Sequence, residues 1–199
     1  MMKLYSSTID PFSHRCRFVL YEKAMEFEIV DVDMLNMLDK HPVINLYDKV
    51  PVLIERDLIL YEANIINEYI DERYPHPQLM PTDPVMRGRV RMLLHRIDHD
   101  LFSHIKDIEH GAPKIANKAR QTISDNLLQI SAVLAKQTYL LGNEFSMVDV
   151  AIAPLLWRLN HYGVTLTKET EPLLTYAEKI FVRPAFFKSM SAAEKAMRK

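Results

Sequence analysis

The stretch Lys49-Val50-Pro51-Val52-Leu53-Ile54-Glu55-Arg56-Asp57-Leu58-Ile59-Leu60-Tyr61-Glu62-Ala63-Asn64-Ile65-Ile66 holds the decisive local signals of the chain. Val52–Ile54 and Leu58–Tyr61 are short β-prone runs, and the polar pair Arg56-Asp57 between them predicts a hairpin. From Glu62 to Arg73 the period changes: Ile65, Ile66, Tyr69 and Ile70 fall on one helical stripe. Upstream, Lys3–Ser6 reads as a strand. Asp10 is placed to cap a helix that opens on Pro11 and runs to about Ala24. Phe27–Val32 is a second strand, with Phe27, Ile29 and either Val30 or Val32 turned inward. The order β-α-β, then β-β-α, implies an α/β unit: a small mixed sheet with helices packed on it.

Downstream, Pro75, Pro77, Pro81 and Pro84 interrupt the helical pattern, because proline lacks a donor and restricts the residue before it. A first domain over 1–77, a linker at 78–83 and a second domain over 84–199 follow. The second domain carries no strand pattern and is expected to be all α. Asp83-Pro84 starts a helix through about Glu109, and another spans roughly Pro113–Lys136. Ser146-Met147-Val148-Asp149 is a capping box ahead of the apolar run to Trp157, which reads as a buried central helix. Two shorter helices should follow. The charge follows the same division. The total of −1 conceals 8 basic and 14 acidic residues over 1–80, against 17 basic and 12 acidic over 81–199.

Composition narrows the function. The four glycines, Gly88, Gly111, Gly142 and Gly163, are scattered, whereas a phosphate-cradling loop needs them clustered. Nucleotide-loop enzymes are thereby excluded. The single cysteine, Cys16, excludes an intrachain disulfide framework and a cysteine-based zinc cluster, and fits a reducing, cytoplasmic setting. No run approaches the ~18 apolar residues of a membrane span. The start turns polar at Ser6, before a signal-peptide apolar region can form.

Five motifs in order carry a resemblance. Leu4-Tyr5-Ser6-Ser7, Asp10-Pro11-Phe12-Ser13 with Arg17-Phe18-Val19-Leu20, Lys49-Val50-Pro51-Val52-Leu53, Glu62-Ala63-Asn64-Ile65-Ile66 and Phe145-Ser146-Met147-Val148-Asp149 together resemble the glutathione transferase superfamily. That resemblance implies a thioredoxin-like N-terminal domain, a helical C-terminal domain and a cis proline at Pro51. It also places a glutathione site at Asp10, Lys49, Val50, Pro51, Glu62 and Ala63. Several of these positions depart from the transferase pattern. Asp10 stands where a Tyr, Ser or Cys would activate a thiol, and an ionised carboxylate has no proton to donate. Ala63 replaces the hydroxyl that meets the γ-glutamyl carboxylate, a loss of about 1.5–3 kcal/mol. Asp48, where a glycine is usual, adds negative charge near an anionic ligand. The site therefore reads as vestigial, with no catalytic residue and no cofactor expected.

Within the superfamily, the run from Tyr69 to Pro81 resembles the stringent starvation protein A family, as do His95-Arg96-Ile97 and Ala153-Pro154-Leu155-Leu156-Trp157-Arg158-Leu159. Its members associate with RNA polymerase and regulate transcription in starvation. The resemblance implies polymerase and its sigma factor as partners, met at Pro75, His76 and Pro77 with Tyr74 and Glu72. It further implies a homodimer, or a heterodimer with a transferase-like paralogue, built through helices around 62–73 and 84–109. From the residues alone, Pro75-His76-Pro77 is either a rigid linker or an exposed docking ridge, since two prolines hold the backbone extended. The enzymatic alternative, a glutathione-dependent transferase or reductase, stays open through Ser6, Ser7, Ser13 and Cys16.

Two constellations have ordinary readings beside functional ones. His95 and His99, spaced i, i+4, either share a metal or make surface hydrogen bonds, and no metal site is assigned. Arg87, Arg89, Arg91 and Arg96 form either an anion-binding cluster or a solvated helix face. Neither a basic stripe nor a helix-turn-helix pattern supports direct DNA binding.

Overall fold

Strand β1 (Lys3–Ser6) sits inside a four-stranded sheet of order β2-β1-β3-β4, with β2 at Glu28–Asp31, β3 at Val52–Glu55 and β4 at Leu58–Tyr61. The structure, a computed structural model, describes residues 1–32 and 50–198; Asp48 and Lys49 lie outside the described residues. β1 runs parallel to β2 and antiparallel to β3, which places Leu4 opposite both Ile29 and Leu53. The hairpin β3–β4 turns at Arg56-Asp57 as the sequence predicts. Leu4, Val52 and Leu53 are fully buried, whereas Leu58, Ile59 and Tyr61 on the edge strand are exposed. The mixed sheet and its element order match the α/β expectation.

Helix α1 (Pro11–Glu22) packs against α2 (Ala63–Arg73). Its apolar core is Cys16, Phe18, Val19 and Leu20, all inaccessible to solvent. On α2 the buried stripe is Ala63, Ile66, Asn67, Ile70 and Asp71, and Ile65 is 54 % exposed. Ile65, which the sequence pattern sets on one stripe with Ile66 and Ile70, thus lies off the buried row. The core-facing row runs 63-66-67-70, the i, i+3, i+4, i+7 spacing, and position 65 lies to one side of it.

The second unit holds α3 (Pro84–Asp100), α4 (Ile105–His110), α5 (Pro113–Leu134), α6 (Met147–Trp157) and α7 (Glu171–Phe181). Asp83 caps α3 by accepting from Met86 N at 2.8 Å. The sequence reading ran this helix through Glu109. It instead breaks at Leu101, and a 3-10 turn at Phe102–His104 leads into α4. The break buries both Leu101 and Phe102, and Asn126 Nδ2 donates to the Asp100 carbonyl that the helix end leaves free. Helix α6 is buried from Met147 to Leu156 and packs on α3 and α7, as a central helix should.

Two short helices follow, α8 (Pro184–Ser189) and α9 (Ala192–Ala196). The sequence reading assigned all of 84–199 to the helical domain. By compactness, however, the first unit is Met1–Gln78 together with Pro184–Ala196, and the second is Leu79–Arg183 with Met197–Lys199. The reason lies in α1, whose polar and aromatic side chains find their partners on α8 and α9. Phe186 packs on Phe18 and His14 at ring-centroid distances of 5.2 and 5.0 Å. His14 Nε2 meets Ser189 Oγ at 2.9 Å. No helix among the described residues is long and apolar enough to cross a membrane.

Candidate functional site

The turn between β1 and α1 is where a thiol-activating residue would sit, and its side chains are committed to backbone. Asp10 has extended geometry and its Oδ2 accepts from Ser13 N at 2.6 Å, so it is the N-cap of α1. Ser7 Oγ accepts from the amides of Ile9 and Asp10, each at 3.3 Å. Ser13 Oγ accepts from Ser7 N at 3.1 Å. Ser6 Oγ accepts from the Arg17 guanidinium. Ser6 and Ser13 are wholly buried and Ser7 nearly so. A serine nucleophile needs an exposed hydroxyl beside a base, and none of these three is presented that way.

Arg17 ties this turn down. Its guanidinium donates to Ser7 O at 2.7 Å, to Ser189 O at 2.8 Å and to both carboxylate oxygens of Glu194 at 2.6 Å. Glu194 is itself fixed by Ser191 N at 2.8 Å, and Ser191 Oγ reaches the Thr8 carbonyl at 2.5 Å. Sequence reasoning passed over Arg17 and Glu194. The available signals were an arginine inside the apolar run Cys16–Leu20 and the capping-box spacing Ser191-x-x-Glu194.

Cys16 is fully buried one turn into α1, and its Sγ lies 3.8 Å from the Ala63 carbonyl. Burial pushes its thiol well above the ordinary range, and the neighbouring Asp10 charge pushes the same way. It is therefore held as the unreactive thiol. Ala63 opens α2 and is buried, offering a methyl where a ligand carboxylate would want a hydroxyl. The backbone keeps the cis proline that the resemblance implies. The Val50–Pro51 peptide is cis, and Glu62 has φ 67° and ψ 117°, in the positive-φ region a side-chain-bearing residue rarely adopts.

The second locus is the exit of α2. That helix ends at Arg73, and the Tyr74 amide donates back to Ile70 O at 2.9 Å. Beyond it Pro75, His76 and Pro77 are exposed, as is Glu72, while Tyr74 is half-buried; the His76–Pro77 peptide is cis. Beneath this ridge, Lys23 Nζ donates to Asp71 Oδ1 at 2.5 Å and to the Pro77 carbonyl. Alongside, the Arg73 guanidinium lies 5.7 Å from the Tyr74 ring centre and 3.9 Å from Glu55. Glu55 accepts from the Tyr69 hydroxyl at 2.6 Å, a bond that raises the phenol above its usual range. The structure thus brings Glu72, Tyr74, Pro75, His76 and Pro77 into one short segment. Asp10 and Ala63 lie with the other locus.

The histidines on α3 belong to the second unit. The rings of His95 and His99 are 6.2 Å apart, and His99 Nδ1 contacts Asp100 Oδ1 at 2.9 Å. Among the described residues no group of three or more His, Cys, Asp or Glu side chains is arranged to hold a metal ion. Of the four arginines, Arg96 pairs with Asp100 one turn on, at 3.4 Å, and Arg89 lies against the Met86 sulfur.

Comparison with known proteins places this geometry. Residues 1–72 match the glutathione S-transferase N-terminal domain and residues 113–179 the glutathione S-transferase C-terminal domain. Over its whole length the chain is 39 % identical to the stringent starvation protein A homolog of Coxiella burnetii (strain RSA 493 / Nine Mile phase I), covering 95 % of that protein. It is also 39 % identical, over 97 % of its length, to the homolog of Haemophilus ducreyi (strain 35000HP / ATCC 700724), covering 91 % of that chain. Among solved structures, the theta class glutathione S-transferase of Xanthomonas axonopodis pv. citri, solved with glutathione bound, superposes with a TM-score of 0.86. That match covers 97 % of this chain and 98 % of the other at 18 % identity, a likeness of fold.

Proposed function

The chain belongs to the stringent starvation protein A family, and on that footing we propose that it is a docking protein of the transcription machinery rather than an enzyme. In this reading it binds RNA polymerase holoenzyme near its sigma factor and changes promoter use under starvation or stress. It acts in the cytoplasm as a homodimer, or as a heterodimer with a transferase-like paralogue. The observation that carries the reading is the commitment of Asp10: its carboxylate caps α1 through Ser13 N, at the position where a transferase would present its thiol-activating group. The neighbouring Ser6, Ser7 and Ser13 are held in the same turn and Cys16 is sealed, so none of these four takes its place.

Docking falls to the Pro75-His76-Pro77 ridge with Glu72 and Tyr74. A short segment that is rigid before binding loses little conformational freedom on contact, so a partner gains most of the interaction. The imidazole of His76 supplies a hydrogen-bonding group on an otherwise apolar crest. The test is capture of purified RNA polymerase holoenzyme by immobilised protein. His76→Ala, alone or with Pro77→Ala, is expected to keep the far-ultraviolet circular dichroism of the wild type and lose most of the captured polymerase. Undiminished capture rejects the role.

The Glu62 backbone, held at positive φ where α2 begins, favours one second reading, residual glutathione binding by a transferase or reductase. Retention on immobilised glutathione, followed by a conjugation assay, separates it from the first. Retention with turnover would replace docking by catalysis as the leading function.

A further inference from the structure

Lys23 is the C-cap residue of α1, and its side chain is completely buried. Lysine is almost never found so unless paired, because removing an ammonium from water is costly before any partner is met. An apolar residue would fill the same space at no such cost. The use made of the charge is therefore informative. One partner is Asp71, in the last turn of α2, with 5 % of its side chain exposed and Oδ1 at 2.5 Å. The other is the main-chain carbonyl of Pro77, the closing residue of the exposed ridge.

The ridge is thereby held at both ends. At its start the Tyr74 amide is bonded into α2 through Ile70 O. At its finish the Pro77 carbonyl is bonded to Lys23. Between these points the prolines have no N–H to give, so His76 carries the one amide of the tripeptide. The Asp71 carboxylate takes one of the three ammonium protons, and the Pro77 carbonyl takes another. With that bond, a single ammonium joins the C-terminal ends of α1 and α2 to the backbone under the His76 side chain.

We propose that Lys23, oriented by Asp71, is the positioning residue of the docking ridge: it sets the path of residues 75–77 and so the direction in which His76 is presented. This rests on the docking reading above and adds the element that makes the ridge rigid. Lys23 touches no partner itself.

The experiment compares Lys23→Met/Asp71→Leu with the wild type, Lys23→Arg and His76→Ala. The double variant removes both charges, so neither is left buried alone. Three quantities are read: thermal unfolding, amide hydrogen exchange at Tyr74, whose N–H donates to Ile70 O at the start of the ridge, and affinity for purified RNA polymerase holoenzyme. The expected result for the double variant is a near-native melt, faster exchange at that amide and binding weaker by about tenfold. Lys23→Arg, still able to donate to both partners, should restore most of the binding. Unchanged exchange overturns the proposal. So does wild-type affinity in the double variant while His76→Ala loses binding, which would leave docking intact and positioning disproved. If His76→Ala binds normally, docking itself fails and exchange alone decides whether Lys23 fixes the ridge. Should the double variant not fold, Lys23→Met/Asp71→Asn replaces it. That variant also removes both charges and the Pro77 bond but keeps a polar side chain at position 71, with the same losses expected and no change in exchange or affinity counting against the proposal.

Discussion

Arg17 and Glu194, 177 positions apart in the chain, meet as an ion pair buried inside one unit, one guanidinium nitrogen lying 2.6 Å from both carboxylate oxygens. Breaking such a pair from one side leaves a desolvated charge behind, at about 3–5 kcal/mol. Glu194→Ala is therefore expected to lose that much in urea-induced unfolding. Arg17→Met combined with Glu194→Leu should lose less, because no charge is stranded. A cost below about 1 kcal/mol for the single variant would mean that the tail is dispensable to the first unit.

Cys16 is expected to stay silent toward thiol reagents in the folded protein. Burial first, and the Asp10 charge second, hold it in the thiol form, and only the thiolate attacks. Reaction should begin when urea unfolds the chain. Full labelling within minutes under native conditions would restore the redox alternative.

Asp10→Ala separates capping from chemistry. Loss of the bond to Ser13 N should cost about 1 kcal/mol of stability. Glutathione conjugation should be absent from wild type and variant alike. A wild-type activity that the substitution abolished would give Asp10 a catalytic role and refute its reading as a cap.

Asp149 accepts from Leu140 N at 3.0 Å, Ser146 N at 2.8 Å, Ser146 Oγ at 2.9 Å and the Tyr176 hydroxyl at 2.6 Å. Burial nevertheless raises its carboxyl above the ordinary value, the hydrogen bonds opposing but not cancelling it. The folded chain thus holds this proton more tightly than the unfolded one. The resulting stability is present in acid and is lost as pH rises through the folded value. The stability margin of wild type over Asp149→Asn should accordingly narrow from about pH 4 toward neutrality in urea melts. A margin that widened would place the folded value below the unfolded one. Asp149→Ala, which strands several buried donors, should cost about 3 kcal/mol or more at any pH.

The readable parts of this fold are those with local causes. Asp10-Pro11, Asp83-Pro84 and Ser146-x-x-Asp149 each satisfy helix amides a few residues away, so the chain announces those helix starts by itself. The hairpin at Arg56-Asp57 is equally local. What escaped depends on distant partners. The break at Leu101 answers to Asn126, and the docking of 184–196 answers to Arg17 and Phe18. At the candidate sites, the capping position of Asp10 and the prolines of the ridge were visible. The burial of Lys23 was not, because its partners arrive from the far end of α2. Asp48 and Lys49 fall outside the described residues.

The split first unit also imposes an order on synthesis. Residues 184–196, which cover the Phe18 and Arg17 face of α1, leave the ribosome only after the entire stretch 79–183 has been made. At ~5–20 residues per second, that face waits uncovered for roughly 5–20 s. The unit that begins the chain waits for Pro184–Ala196, whereas by then the helical unit has all but Met197–Lys199. A nascent chain stalled before Glu194 would therefore carry an unfinished N-terminal unit, open to chaperones and proteases, beside a second unit that lacks only its final residues.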